Sequence, residues 1–199
     1  MKRRDSRARA RLLHAALRQF ADRGYAGASV QSIVDAAGVT KPTLYYHFDS
    51  KAGLFQALLD WAHDERYRLM RQALKNRASL KEQLIEILAA LFEFITHHRP
   101  LMRIAFATAF AARGEIPAQI RYLDKPQRNF NFIHRLIRQG RAKGGLLPGY
   151  STRELALGIW GLMTIRVMEY LVTGHPPLTR RDAESVVHLY LGGAARHAA

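Results

Sequence analysis

The stretch Lys41-Pro42-Thr43-Leu44-Tyr45-Tyr46-His47-Phe48 concentrates side chains that could do chemistry. Lys41 carries an ammonium, Thr43, Tyr45 and Tyr46 carry hydroxyls, and His47 carries a ring N–H. Helical spacing sets Leu44 and Phe48, four residues apart, on one side and most of these donors on the other. Such a face suits phosphates and the edges of bases. Lysine can meet a phosphate or guanine O6 and N7, while Pro42 and the Thr43 methyl can touch a thymine methyl. Catalytic chemistry has weaker support. The sequence contains neither H-E-x-x-H nor G-x-x-x-x-G-K-[ST]. His97 and His98 are adjacent and point apart on a helix, and His63-Asp64-Glu65 does not put two ligands on one face. The absence of cysteine excludes disulfides, thiolate catalysis and cysteine-ligated zinc. No metal site or cofactor is expected.

The elements that must position this face are helical. Leu13, Ala16, Leu17 and Phe20 share one face of a helix over 7–23, which Gly24 ends as a left-handed cap before Tyr25 packs behind it. Ser29 caps a second helix whose Val30, Ile33, Val34 and Ala37 form a buried stripe. Gly38 makes the turn, Thr40 caps the third helix, and Pro42 sits in its first turn, where no N–H is needed. A fourth helix over 51–75 buries Leu54, Leu58 and Trp61. Further helices are expected over 79–99, 100–113, 118–143, 151–173 and 179–197, separated by breaks at Pro100, Gly114 and Pro117, Gly144-Gly145 and Pro148, and Gly174 to Pro177. The segment 100–113 is apolar almost all round and should be buried. Within it, Thr108 is expected to bond back to its own helix. Arg166 and Glu169, at i and i+3, are expected to form an ion pair.

Composition supports a globular chain with a polyanionic partner. Of 199 residues, 48% are hydrophobic and 24% charged, and the net charge is +15 with pI near 10.7. Residues 1–55 hold ten Lys/Arg against four acids, a net +6, so charge is nearly twice as dense there as in the other 144 residues. The basic leader Lys2–Arg11 is open to two readings, an arm reaching into a minor groove or a solvated tail. No apolar signal core follows it, and the apolar run 158–172 is short for a bilayer and contains Arg166 and Glu169. A cytoplasmic location without membrane association is expected.

The segment SVQSIVDAAGVTKPTLYYHFDSKAGLF resembles the DNA-binding domain of the TetR family of bacterial transcriptional regulators. The family pattern is a Ser/Thr-capped helix, A-x-x-A-G-V, a short T-L-Y-x-H-F helix and S-K-x-x-L-F. The match falls on Ser29, Ile33, Ala36, Ala37, Gly38, Val39, Thr43, Leu44, Tyr45, His47, Phe48, Lys51, Leu54 and Phe55, and the preceding LLHAALRQFADRGYAGAS fits the family's first helix and G-[FY] turn. The resemblance implies an all-α chain of about nine helices. Residues 7–67 would form the helix-turn-helix domain, with the motif itself over 29–48, and 68–199 the effector-binding and dimerisation domain. Expected DNA contacts are Ser29, Gln31, Lys41, Pro42, Thr43, Tyr45, Tyr46, His47 and Lys51, the last as a phosphate site at the start of the fourth helix.

The resemblance further implies a homodimer through the last two helices, where Gly158, Gly161, Gly192, Gly193, Ala194 and Ala195 would allow close approach; packing within one chain is the alternative for these small residues. It also implies a pocket for an unknown small-molecule effector. Phe92, Met102, Phe106, Phe110, Phe132, Trp160 and Met163 are its candidate lining, with plain core as the competing reading. The implied function is a regulator, read as a repressor, that binds a pseudo-palindromic operator in double-stranded DNA. Two other classes remain open: a sequence-tolerant architectural DNA binder without an effector, and an enzyme with its site in the C-terminal half.

Overall fold

The computed structural model describes residues 2–74, 79–112, 114–144, 146 and 149–194. Among these are nine α-helices and no strand: α1 Lys2–Gly27, α2 Val30–Ala37, α3 Lys41–Phe48, α4 Lys51–Ala73, α5 Leu80–His97, α6 Arg99–Ala109, α7 Asp124–Ala142, α8 Thr152–Thr173 and α9 Arg180–Ala194. The expected all-α architecture is therefore observed. Lys75, Arg113, Gly145, Pro148, Ala195 and His197, named above at helix ends, breaks or a dimer seam, lie outside the described residues.

The chain forms two compact units, Met1–Asp64 with Arg99–Lys125 and Glu65–His98 with Pro126–Ala199. The division falls within α4, and α6 with its following loop belongs to the first unit because α6 packs along α1.

In the first unit, α1 packs on α2, α3 and α6. Its core face is Leu12, Ala15, Ala16 and Phe20, while Leu13 and Leu17 are only half-buried, so the expected face is rotated by one residue. The basic leader is not a solvated extended tail: its backbone is helical from Lys2 as the start of α1. Gly24 has φ 69° and ψ 178°, outside the left-handed helical region, and the chain resumes a helical turn to Gly27. The Phe20, Tyr25 and Phe55 rings then close the end of α1, with centroids 5.0–5.9 Å apart. On α4, Leu54 and Leu58 are buried as expected but Trp61 is exposed.

Gly38 ends α2 at φ 62° and ψ 42°, a conformation that costs an L side chain energy, and Val39 N–H donates to Val34 O at 3.0 Å. This pins the turn into α3. Leu44 and Phe48 are buried beneath it. Thr40 holds the N-cap position without a capping bond, and its Oγ1 lies 3.0 Å from Thr43 Oγ1 instead. Leu44→Ala should lower unfolding free energy by roughly 2–5 kcal/mol, read by urea denaturation. A loss below about 1 kcal/mol would contradict the complete burial of Leu44.

In the second unit, α9 packs along α5 and α8. Ser79 with Glu82 and Ser151 with Glu154 form capping boxes that start α5 and α8. Arg166 pairs with Glu169, as expected, and also crosses to Asp182 of α9 at 2.6 Å. Burial pushes the Tyr190 phenol up to about 12, and its hydroxyl faces no described partner. By length and composition α8 would suffice to cross a membrane, which the shorter run 158–172 did not suggest; one face of this 22-residue helix is nevertheless packed in the unit's core.

Two further expectations are corrected. α7 begins at Asp124 rather than Ala118, because turns closed by Glu115 N–H to Ala112 O and Ile120 N–H to Pro117 O occupy the preceding stretch. The segment 100–113 is not buried throughout. Leu101, Met102 and Ile104 are buried, but α6 stops at Ala109 and Phe110 is 75% exposed beyond it. Thr108 Oγ1 does donate to Ile104 O, at 2.8 Å.

Candidate nucleic-acid interface

The third helix divides its residues between core and solvent. Its inner side is Leu44 and Phe48. Its outer side presents Lys41, Pro42 and Tyr45, all exposed, and Tyr46, 75% exposed, with Thr43 half-buried. The Tyr46 ring rests edge to face on His47 at 5.1 Å, and the rest of its apolar body and its hydroxyl tip are held in water on a rigid short helix as a contact surface. The first turn of α3 lacks a side-chain cap, so its N–H groups face outward with Lys41.

Ser29 and Gln31 sit at the start of α2. Ser29 accepts from Ser32 N–H at 3.0 Å, and Gln31 Nε2 donates to Asp35 Oδ1 at 2.8 Å. Both residues are exposed. Ser29, an expected DNA contact, thus closes its own helix end by accepting from Ser32 N–H, although other first-turn N–H groups remain directed away from the helix.

Two candidates occupy different environments from those expected. The His47 side chain is only 7% exposed and its Nε2 lies 3.3 Å from Asp5 Oδ1 on α1. It braces α3 against α1 rather than projecting outward. Lys51 was expected to leave its ammonium free for phosphate. Instead Nζ donates to Tyr25 O and Ala28 O, both at 2.9 Å, and stands 4.4 Å from the Tyr25 ring centroid. Burial lowers the Lys51 pKa and raises that of Tyr25. The physical reason is that the chain leaving α1 presents carbonyls with no helical partner, and an ammonium is their natural donor. Sequence reasoning missed Arg9, whose guanidinium carbon sits 5.2 Å from the Phe48 ring and brings a cation to the edge of α3. Its i+2 relation to Arg7 and Arg11 hid this behind a general basic run.

The effector-pocket candidates are divided between the units. Met102, Phe106 and Phe110 belong to the first, and the exposure of Phe110 is incompatible with an enclosed lining. Phe92 and Met163 are buried in the second unit, while Phe132 and Trp160 are half-buried there. The Phe132 ring meets Tyr67 at 5.8 Å, and Trp160 meets Phe130 at 6.0 Å, both edge to face. The second unit also has an open groove of about 640 Å³ between α4, α5 and the start of α9, rimmed by the Glu86–Arg180 pair and lined by none of the seven candidates. On the seam expected for dimerisation, Gly158 faces Tyr190 of its own chain, whereas Gly161, Gly192 and Gly193 face open space. The backbone at Ala194 completes α9.

Comparisons with known proteins place this geometry. The family model described as bacterial regulatory proteins, tetR family, matches residues 12–58. The HTH-type transcriptional activator FasR of Mycolicibacterium smegmatis is 38% identical over 191 residues, spanning 96% of this chain and 84% of that protein. The HTH-type transcriptional repressor KstR2 of Mycobacterium tuberculosis is 36% identical over 90 residues, 45% of each chain. Among solved structures, the fatty acid degradation regulator FadR from Bacillus halodurans superposes with a TM-score of 0.79 over 94% of this chain and 95% of that one, at 21% identity, a likeness of fold. The family match lies on the elements that expose the outer side of α3, and the FasR alignment carries through both units: the chain belongs to the TetR family of bacterial transcriptional regulators.

Proposed function

We propose that this regulator binds a pseudo-palindromic operator as a homodimer through the outer side of α3, and that a small molecule bound in its C-terminal half changes its hold on DNA. One observation carries the DNA half of this reading: Lys41, Pro42, Tyr45 and Tyr46 are exposed together on a helix whose opposite side anchors the fold. Ser29, Gln31 and Thr43 flank that strip, and His47 and Lys51 hold it in place. Residues 7–67 supply the DNA-binding domain, with α6 buttressing α1, and 68–199 supply effector binding and dimerisation. Half-sites about 34–36 Å apart, one helical turn, would match two copies of α3. An effector can act only through a preference for one spacing of those copies.

The exposed stripe Leu157, Gly161, Ile165, Met168 and Val172 on α8, beside Leu189 on α9, supports self-association through these helices. The regulator acts in the cytoplasm and has no catalytic role. Its sign has two readings. Repression follows from the family resemblance and the name of KstR2; activation is favoured by the name of FasR, whose alignment spans most of the chain. A reporter driven by the operator-containing promoter separates them by the direction of change on deleting the regulator.

Selection of binding sites from random DNA, followed by gel shifts against unselected DNA, tests the DNA reading. Specific sites should bind roughly 10³-fold or more tighter than random sequence, whereas a ratio near one would instead indicate an architectural binder. Lys41→Ala and Tyr46→Ala should each weaken operator binding without lowering the melting temperature, since both side chains are exposed. Lys41→Ala should also make the salt slope of binding shallower by about 1. An unchanged slope excludes Lys41 as a phosphate contact.

A further inference from the structure

Among the described residues, Arg66 is a buried cation with no anion. Its side chain stands on α4 in the second unit, and the residue is 5% exposed. Nε is buried without a hydrogen-bond partner among the described residues. Burial pushes the guanidinium down to about 10, and no neighbouring charge offsets that. The contact it makes is with an aromatic ring: its guanidinium carbon lies 5.9 Å from the Trp160 centroid on α8, and Trp160 in turn meets Phe130 of α7. Four other arginines of the fold are matched with acids. Arg68 pairs with Glu65, Arg121 with Asp124, Arg166 with Glu169 and Asp182, and Arg180 with Glu86 and Glu184.

A guanidinium is always charged near neutral pH and presents five donors. Buried without a counter-charge, it is a strong source of instability, and proteins ordinarily pair such a group or replace it with an apolar one. A methionine or leucine would fill the same place on α4 at less cost. Retaining arginine there fits a group held ready for an anion that arrives from outside the chain. The aromatic neighbours indicate the remainder of the ligand. An anion that carries an apolar or aromatic body can lay that body against Trp160 and Phe130 while its head takes the guanidinium, whereas a small hydrated ion would lose water and gain little apolar contact.

We propose that Arg66 is the anchor for an anionic effector, a carboxylate or phosphate attached to an apolar body that packs against Trp160 and Phe130. This rests on the reading of the C-terminal half as an effector domain and specifies the chemistry of what it takes. The shared chemistry is a planar or tetrahedral oxyanion accepting two N–H bonds from one guanidinium.

The test uses the full chain and three probes of one shape: 4-phenylbutyrate, 4-phenylbutyl phosphate and the neutral 4-phenylbutanol. By titration calorimetry, wild-type protein should bind at least one of the anions roughly tenfold or more tighter than the alcohol, and the better of the two anions identifies the head group. Arg66→Met should bind all three alike, and Arg66→Lys should keep part of the preference. Without ligand, Arg66→Met should melt at or above the wild-type temperature, because it removes an uncompensated buried charge. Three results overturn the proposal: equal binding of anions and alcohol, or no anion binding; an anion preference that survives in Arg66→Met; or a ligand-free Arg66→Met that melts below wild type, which makes the guanidinium an internal brace. Operator affinity is measured separately by fluorescence anisotropy. Arg66-dependent anion binding that leaves operator affinity unchanged upholds the anion site and removes only the DNA-response half of the functional reading. Failed anion discrimination with specific DNA binding intact removes only the site.

Discussion

Gly53→Ala should destabilise the protein by about 3 kcal/mol or more, although it adds a single methyl to a helix, where alanine is ordinarily the better residue. An ideal Cβ at position 53 would stand 2.0 Å from Phe48 O and 3.1 Å from Phe48 C. Both are backbone atoms, so no side chain can swing aside. The carbonyl is held from the other side as well, accepting from Ser50 N–H at 2.6 Å, while Ser50 Oγ accepts from Gly53 N–H at 3.0 Å. Relief therefore requires moving the end of α3 away from the start of α4. That end carries Phe48, whose ring is buried beneath Arg9. Urea denaturation gives the comparison with Gly38→Ala. There the added methyl meets only Arg11 Nη1 at 3.6 Å, and the cost is that of a left-handed alanine, roughly 1–2 kcal/mol. If Gly53→Ala proves the milder of the two, the close approach of α3 and α4 is wrong. The same displacement re-aims Lys41 and Tyr46, so operator affinity should fall even where the variant remains folded.

The contrast between Gly38 and Gly53 shows what the sequence made legible. Gly38 stands between two periodic segments, with a local signature of an apolar stripe, a glycine and a plug residue, and its positive φ follows from that. Gly53 lies inside a helix, and its role comes from the tertiary approach of another helix's carbonyl, which periodicity does not encode. The buried side of α3 was legible from the four-residue spacing of Leu44 and Phe48. The inward, braced placement of His47 was not, because an exposed and a braced histidine have the same spacing, and the difference is made by Asp5, 42 positions earlier. Lys51 failed for a related reason: a lysine at a helix start suits phosphate, but the loose carbonyls at the end of α1 are nearer. Arg66 did have a local signal. Leu58, Ala62, Arg66 and Met70 recur every four residues, and the other three are buried apolar residues, so the stripe itself marks an arginine in the core.

The same stripe logic, applied to the uncovered side of α8, leads to the prediction with the widest consequence. Leu157, Gly161, Ile165, Met168 and Val172 recur at helical spacing and are exposed, whereas Leu155, Ile159, Met163 and Val167 are buried on the opposite side. A helix apolar on both sides, with one left bare, has its second side available for another surface. Nothing lies within 4 Å of a Cβ built at Gly161, so that position is open to close approach by a partner helix. Ile165→Asp places a carboxylate at the middle of this stripe. In a single chain the side chain is in water and the cost should stay within about 0.5 kcal/mol. In a pair related by a two-fold axis the two aspartates would be buried together near the axis, each without a counter-charge, which the association cannot absorb. Sedimentation velocity should therefore show a monomer with unchanged helical circular dichroism. Operator affinity should drop by roughly 10²–10⁴, because the second half-site no longer adds to the first through a shared effective concentration. Binding to a single half-site, weak in both proteins, should be unaltered, which separates lost pairing from damage to α3. A variant that sediments as a dimer and holds the full operator as tightly as wild type would assign pairing to a different surface.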